Sequence, residues 1–190
     1  MTRKTIGFSV FAAAALLAEP ALAHHVMDGR MPATFTDGLL SGLGHPVIGL
    51  DHFAAVVAVG ALAAAHRAGV SLVIGFVVAM MAGVAAHLAG TGLPGAEIWV
   101  ALSVIALGAV MLTRLPIQAG AALALFSAVG LLHGYALGES IYGAEQTPLA
   151  AYLIGLAVIQ SAVALAAMSA PRLAFVRRAG VPWLRLVGAG

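Results

Sequence analysis

The stretch His45-Pro46-Val47-Ile48-Gly49-Leu50-Asp51-His52 opens an apolar segment that continues to residue 65 with no further charged or strongly polar side chain. Proline suits the first turn of a helix, where its missing N–H is not needed, so the pattern predicts a helix that begins at Pro46. Such a helix carries Asp51 and His52 about 8 to 9 Å below its first residue. His45 precedes a proline, so it is biased out of the α conformation and is expected to cap or fold over the helix end.

Ionisable side chains at this depth of a membrane span are costly, and their presence is by default a hypothesis of function. The competing interpretation is structural, because a single intramembrane histidine often only forms a hydrogen bond to a neighbouring helix. Here His45, Asp51 and His52 occur within eight positions. We therefore favour a metal-binding role for the group.

The composition predicts an all-α polytopic membrane protein. Of the 190 residues, 62% are hydrophobic and 8% are charged, and the mean hydropathy is +1.06, far from the soluble average. There are no cysteines, which excludes disulfides and thiolate metal sites and leaves His, Asp, Glu, Met and backbone groups as ligands. The nine basic residues form no basic face, so nucleic acid is not an expected partner.

The amino terminus reads as a cleavable signal peptide over residues 1–23, with Arg3 and Lys4, an apolar run and then Ala21-Leu22-Ala23. An uncleaved first transmembrane helix is the alternative, but the apolar run is short for a span. Cleavage would leave His24 and His25 at the mature amino terminus. Residues 24–45 are then expected to form a periplasmic arm with a short interfacial helix around 36–43.

Hydropathy predicts five mature spans within a transmembrane domain of residues 46–170. With the mature amino terminus in the periplasm, Arg67, Arg114 and the tail of residues 171–190 fall inside, as the positive-inside rule requires. That tail is expected to be a basic cytoplasmic extension or the remnant of a last helix. The predicted location is the cytoplasmic (inner) membrane of a bacterium. The spans are 46–65, 70–89, 97–112, 117–137 and 148–168.

Two more histidines fall near the outer ends of predicted spans, His87 in the second and His133 in the fourth. Around His133, glycines recur every four residues, a spacing that lets helix backbones approach closely, and we interpret them as packing residues. Glu139 follows just outside the helix, where a carboxylate can attract a cation. The sequence thus predicts one outer site formed by His45, Asp51, His52 and His133, with Glu139 close by and His87, His24 and His25 as additional candidates.

Imidazole and carboxylate ligands without thiolate suit nickel, cobalt or zinc rather than copper(I). The carboxylates would capture the ion, while neutral imidazoles would give selectivity without preventing release. The chain has no Gly-x-Ser-x-Gly, no His-Glu-x-x-His and no nucleotide-binding loop, so no enzymatic activity and no resident cofactor are expected. The metal ion would be cargo.

The motif His45-Pro-x-x-Gly-x-Asp51-His52 resembles the signature of the HupE/UreJ family of nickel/cobalt permeases, and His133-Gly-Tyr-Ala-x-Gly-Glu139-Ser resembles its second motif. The resemblance covers about residues 24–168. It implies secondary uptake of nickel or cobalt without an ATPase, in the service of hydrogenase, urease or cobalamin pathways. By the same matching, these three histidines and two carboxylates are the functional positions. The family usually ends in another hydrophobic helix, whereas the chain after residue 171 is rich in arginine.

Two classes of function stay open: a metal permease, and a membrane metal-binding or assembly protein that captures the ion without conducting it. A permease needs polar groups on the inner half of its path, where the sequence offers Gln160, Ser103, Ser127 and Ser161. Gln160 is read first as a hydrogen-bonding residue between helices and second as part of a pathway. The choice between nickel and cobalt, the energy source and a homo-oligomeric state are left undecided.

Overall fold

The computed structural model describes residues 30–113 and 117–179, with side chains as far as residue 170. The predicted signal peptide, His24, His25 and Arg114 lie outside the described residues. Regular structure in this part of the chain is helical, without strands. The helices are α1 Phe35–Ile48, α2 Leu50–Ala63, α3 Gly69–Leu88, α4 Ala96–Thr113, α5 Ala119–Glu139 and α6 Gln146–Ala179.

Four of these helices are long and apolar enough to cross a membrane: α3, α4, α5 and the part of α6 from Gln146 to Ala170. They coincide closely with the last four predicted spans. The prediction of an all-α, multi-pass membrane protein is therefore confirmed. The last predicted span, 148–168, lies within the candidate span Gln146–Ala170, and the backbone of α6 stays helical beyond it, to Ala179.

The first predicted span is not a straight helix that begins at Pro46. It is a bent pair, α1 and α2, whose axes meet at 78° across Gly49. Pro46 lies inside α1, so His45 is helical and does not cap a helix start, contrary to expectation. Proline lacks the N–H that would bond to the carbonyl of residue 42, which weakens this turn. The helix ends at Ile48 and the chain turns at Gly49, whose N–H donates to the carbonyl of His45 at 3.0 Å.

Helix α1 begins with a reciprocal cap. The backbone N–H of Asp37 donates to Thr34 Oγ1 at 3.1 Å, and the N–H of Thr34 donates to Asp37 Oδ2 at 3.0 Å. This capping box satisfies two N–H groups that a helix start otherwise leaves unpaired. The short interfacial helix expected at 36–43 is therefore longer at both ends, and it packs against α6, where Gly38 and Gly42 lie against the backbone of Pro148 and Tyr152.

The glycine repeat of α5 packs against α3, as its spacing predicted. Gly130 and Gly134 lie against the backbone of Phe76 and Met80, and a Cβ at Gly138 would lie 2.7 Å from the Cβ of His87. Positions along the two helices increase together, so α3 and α5 run parallel. Both therefore end on the same side of the bundle, which brings His87 and His133 to the same end.

Candidate functional site

The bend at Gly49 brings two of the predicted histidines together. His45 lies in the last turn of α1 and His52 in the first turn of α2. Their ring centroids are 6.4 Å apart at an interplanar angle of 63°, and each residue is 8% exposed. The sequence predicted one helix from Pro46 with His45 folded over its end, whereas the structure brings the two histidines together across a break between two helices.

The third histidine comes from α5. Nδ1 of His133 lies 2.8 Å from Nδ1 of His52, with ring centroids 4.9 Å apart. His133 is fully buried and precedes the end of α5 by six residues, about 9 Å along the helix. Three helices thus contribute an imidazole each, and His52 lies between the other two.

A residue that the sequence analysis did not include in the site completes this chain of contacts. Ser103 Oγ lies 2.8 Å from Nε2 of His133 and donates to the carbonyl of Val100 at 2.7 Å. Ser103 was assigned to the inner half of the path, but it lies only seven residues after the start of α4, about 10 Å from that end. The available signal was its position as a buried polar residue within an apolar helix.

Asp51 lies at the break, beside His52. Its Oδ1 accepts a hydrogen bond from the backbone N–H of His52 at 2.8 Å. A Cβ at Gly49 would lie 2.9 Å from Cδ2 of His52 and 3.3 Å from Oδ1 of Asp51, so the carboxylate and the imidazole share this small space. In the first turn of α2, the carboxylate also interacts favourably with the helix dipole.

The other predicted members lie further out. Glu139 is the exposed last residue of α5; six residues beyond His133, it also projects from a different face of that helix. The ring of His87 contacts Tyr135 and Tyr142, with centroids 4.7 and 5.6 Å away. Its buried Nδ1 has no hydrogen-bond partner among the described residues. His87 thus belongs to an aromatic cluster, and the participation of both residues in metal binding stays a prediction.

Within residues 30–113 and 117–170, no three His, Asp or Glu side chains lie close enough together to hold a metal ion. The hydrogen bond between His52 and His133 explains part of this absence, because the two Nδ1 atoms face each other at 2.8 Å and leave no space for an ion between them. Ligand nitrogens lie about 2.0 to 2.1 Å from a shared ion such as zinc. Binding here would therefore require this hydrogen bond to open.

The fold and the site together define a multi-pass α-helical membrane protein that buries imidazoles from three helices where one span is broken. The chain belongs to the HupE / UreJ family, whose model matches residues 12–190. Protein HupE of Rhizobium leguminosarum bv. viciae is 35% identical over 127 residues, which are 65% of this chain and 63% of that protein. No solved structure matches the chain.

Proposed function

We propose that the protein is a secondary permease that takes up divalent nickel or cobalt across the cytoplasmic membrane. The observation that carries the proposal is the placement of His45, His52 and His133 within the bundle, at the break between α1 and α2. Burying three imidazoles in a membrane protein is costly, and residues retained at such a cost usually mark a functional site. Asp51 would add charge at this site, and Glu139 would attract the cation at the outer end of α5.

The break itself supports an ion site. Discontinuous membrane helices commonly bind ions at their ends, because free carbonyl groups and helix dipoles meet there. The carboxyl end of α1 carries partial negative charge, and Asp51 adds a carboxylate in the first turn of α2. Both features favour a cation near His45 and His52, and the donor set suits nickel or cobalt better than copper(I).

The ends of the helices support an extracytoplasmic location for this site. Glu97 begins α4, Glu139 ends α5 and Glu145 precedes α6, all on the side where α3 ends at Leu88. Arg67 lies on the opposite side, between α2 and α3. With Arg67 on the cytoplasmic side, as the positive-inside rule favours, the histidines would lie nearer the periplasm. A reporter fused after Arg67 should be cytoplasmic, and a periplasmic signal would contradict this orientation.

A metal-binding or assembly protein that does not conduct the ion is the second candidate. The observation in its favour is the scarcity of polar groups in the inner half of the described bundle. Gln160, predicted for the inner half, is buried with its Nε2 against Met80 Sδ, and the backbone of Met80 lies against Gly134, next to His133. This amide, whose Oε1 has no hydrogen-bond partner among the described residues, therefore lies at the depth of the histidines. It leaves the inner half of the described bundle without a buried polar side chain for a hydrated divalent ion.

Uptake into proteoliposomes, measured beside equilibrium binding for radiolabelled nickel and cobalt, separates the two candidates. A permease accumulates ion well beyond the protein present, and repeating the assay with and without a proton-motive force tests the energy source. Binding without accumulation would favour the second candidate. If the protein neither bound nor accumulated the ions, both candidates would be rejected. His133→Gln should abolish uptake, while His66→Gln, the same change in the loop at the other end of α2, should leave it unchanged.

A further inference from the structure

The contacts of Ser103 fix the position of a proton on His133. The hydroxyl of Ser103 lies 2.7 Å from the carbonyl of Val100, and a carbonyl oxygen can only accept. The single hydroxyl proton is therefore used in that bond. Nε2 of His133 lies 2.8 Å from the same oxygen, so this nitrogen must be the donor and carry a hydrogen.

A neutral imidazole carries one hydrogen, so Nδ1 of His133 then has a lone pair. This nitrogen lies 2.8 Å from Nδ1 of His52, which must donate to it. We propose that Ser103 is a positioning residue that holds His133 as the Nε2–H tautomer and so reserves Nδ1 as the atom that receives the metal ion. This inference rests on the proposed function for the identity of the ion, but the tautomer follows from the contacts alone.

The burial of His133 makes the serine necessary for this tautomer. His133 is fully buried and Ser103 is 7% exposed, so bulk water does not replace the hydroxyl as acceptor. A buried N–H without a partner costs more than a buried acceptor without one. Without the hydroxyl, His133 is better satisfied with its hydrogen on Nδ1, where it can donate to His52. Nδ1 is then protonated and unable to bind a metal ion.

The direct test is the tautomer of His133, read from the ¹⁵N resonances of histidine-labelled full-length protein. Spectra are recorded without metal near pH 8, above the pKa of about 6.5 of a free imidazole, and the His133 signals are those absent from His133→Gln. Wild type and Ser103→Thr, which keeps the hydroxyl, should show a protonated Nε2. Ser103→Ala should move the hydrogen to Nδ1, wholly or in part. An unchanged Nε2–H tautomer in Ser103→Ala would overturn the inference.

Nickel binding by the same proteins tests the consequence for the site. Loss of a residue that orients a metal-binding histidine typically weakens affinity about 10- to 100-fold, and we expect this for Ser103→Ala, with recovery in Ser103→Thr. The matched control is Ser169→Ala, which removes a similar hydroxyl bond to the carbonyl of Ala166 away from any histidine. Full nickel affinity in Ser103→Ala would overturn the inference. Absence of nickel binding by wild type would instead reject the proposed function, while the spectra would still decide the tautomer.

Discussion

Asp51→Asn separates the charge of Asp51 from its role in the fold. In the structure, Oδ1 of Asp51 accepts from the backbone N–H of His52 at 2.8 Å, and an asparagine at this position keeps an acceptor oxygen of the same shape. Only the negative charge is lost. If that charge binds the ion, uptake per folded molecule should fall to background while the protein still folds.

The magnitudes make the two outcomes distinguishable. At an effective dielectric constant of about 20, two unit charges 4 Å apart interact by about 4 kcal/mol, and a divalent ion has twice the charge. A loss of even about 3 kcal/mol weakens ion binding more than about 100-fold. The effect on folding is smaller, because a carboxylate in the first turn of a helix contributes about 0.3 to 1 kcal/mol through the helix dipole.

The assay is nickel and cobalt uptake normalised to folded protein, with melting temperature measured on the same preparations. Asp37→Asn is the matched control, since Asp37 also lies in the first turn of a helix and accepts backbone N–H bonds but precedes His45 by eight residues, about 12 Å along α1. It should leave uptake unchanged. Near-normal uptake by Asp51→Asn would remove Asp51 from the metal path. A large fall in melting temperature with uptake per folded molecule retained would make it a purely structural residue.

Three further predictions concern glycine packing, the break and pH. Gly134→Ala places a Cβ against the backbone carbonyl of Met80 and should cost about 1 to 3 kcal/mol of stability, seen as a lower melting temperature. Gly120→Ala, at an open position, should not lower it. Gly49→Ala should weaken nickel binding, because the new Cβ would lie 2.9 Å from Cδ2 of His52; unchanged affinity would show that the break tolerates a side chain. Metal binding requires neutral imidazoles, so uptake should be complete at neutral external pH and weaken below about pH 6; uptake that rises in acid would contradict this account.

Hydropathy and composition were sufficient for most of the fold. The four straight spans follow from apolar runs of suitable length, which depend little on tertiary contacts. The repeat Gly130, Gly134 and Gly138 likewise predicted a close helix contact, because only small residues at that spacing admit another backbone. The partner helix could not be predicted, since the repeat specifies a flat surface and not what covers it.

The candidate site was predicted less completely. Ligand chemistry selected His45, Asp51, His52 and His133 as candidates, and the structure brings His52 and His133 into contact, while metal binding by these residues stays a prediction. Ser103 was missed because a serine in a span most often bonds to its own helix, as this one also does with Val100. Its second contact, with His133, depends on how α4 and α5 are rotated against each other. Hydropathy contains no information on that rotation.

The start of the first span shows why a local rule can be correct and still lead to the wrong structure. Proline is tolerated at the first turn of a helix and also where a helix is about to end, so Pro46 alone does not distinguish these cases. The helix expected at 36–43, whose start the capping box Thr34-x-x-Asp37 marks, continues through Pro46 instead of ending before it. Given that start, Pro46 and Gly49 mark the end of α1. His45 and His52 then lie on opposite sides of the break at Gly49. A helix break leaves polar backbone groups without partners in the helix. The eight residues of the motif therefore contain both the candidate ligands and the break that brings them together.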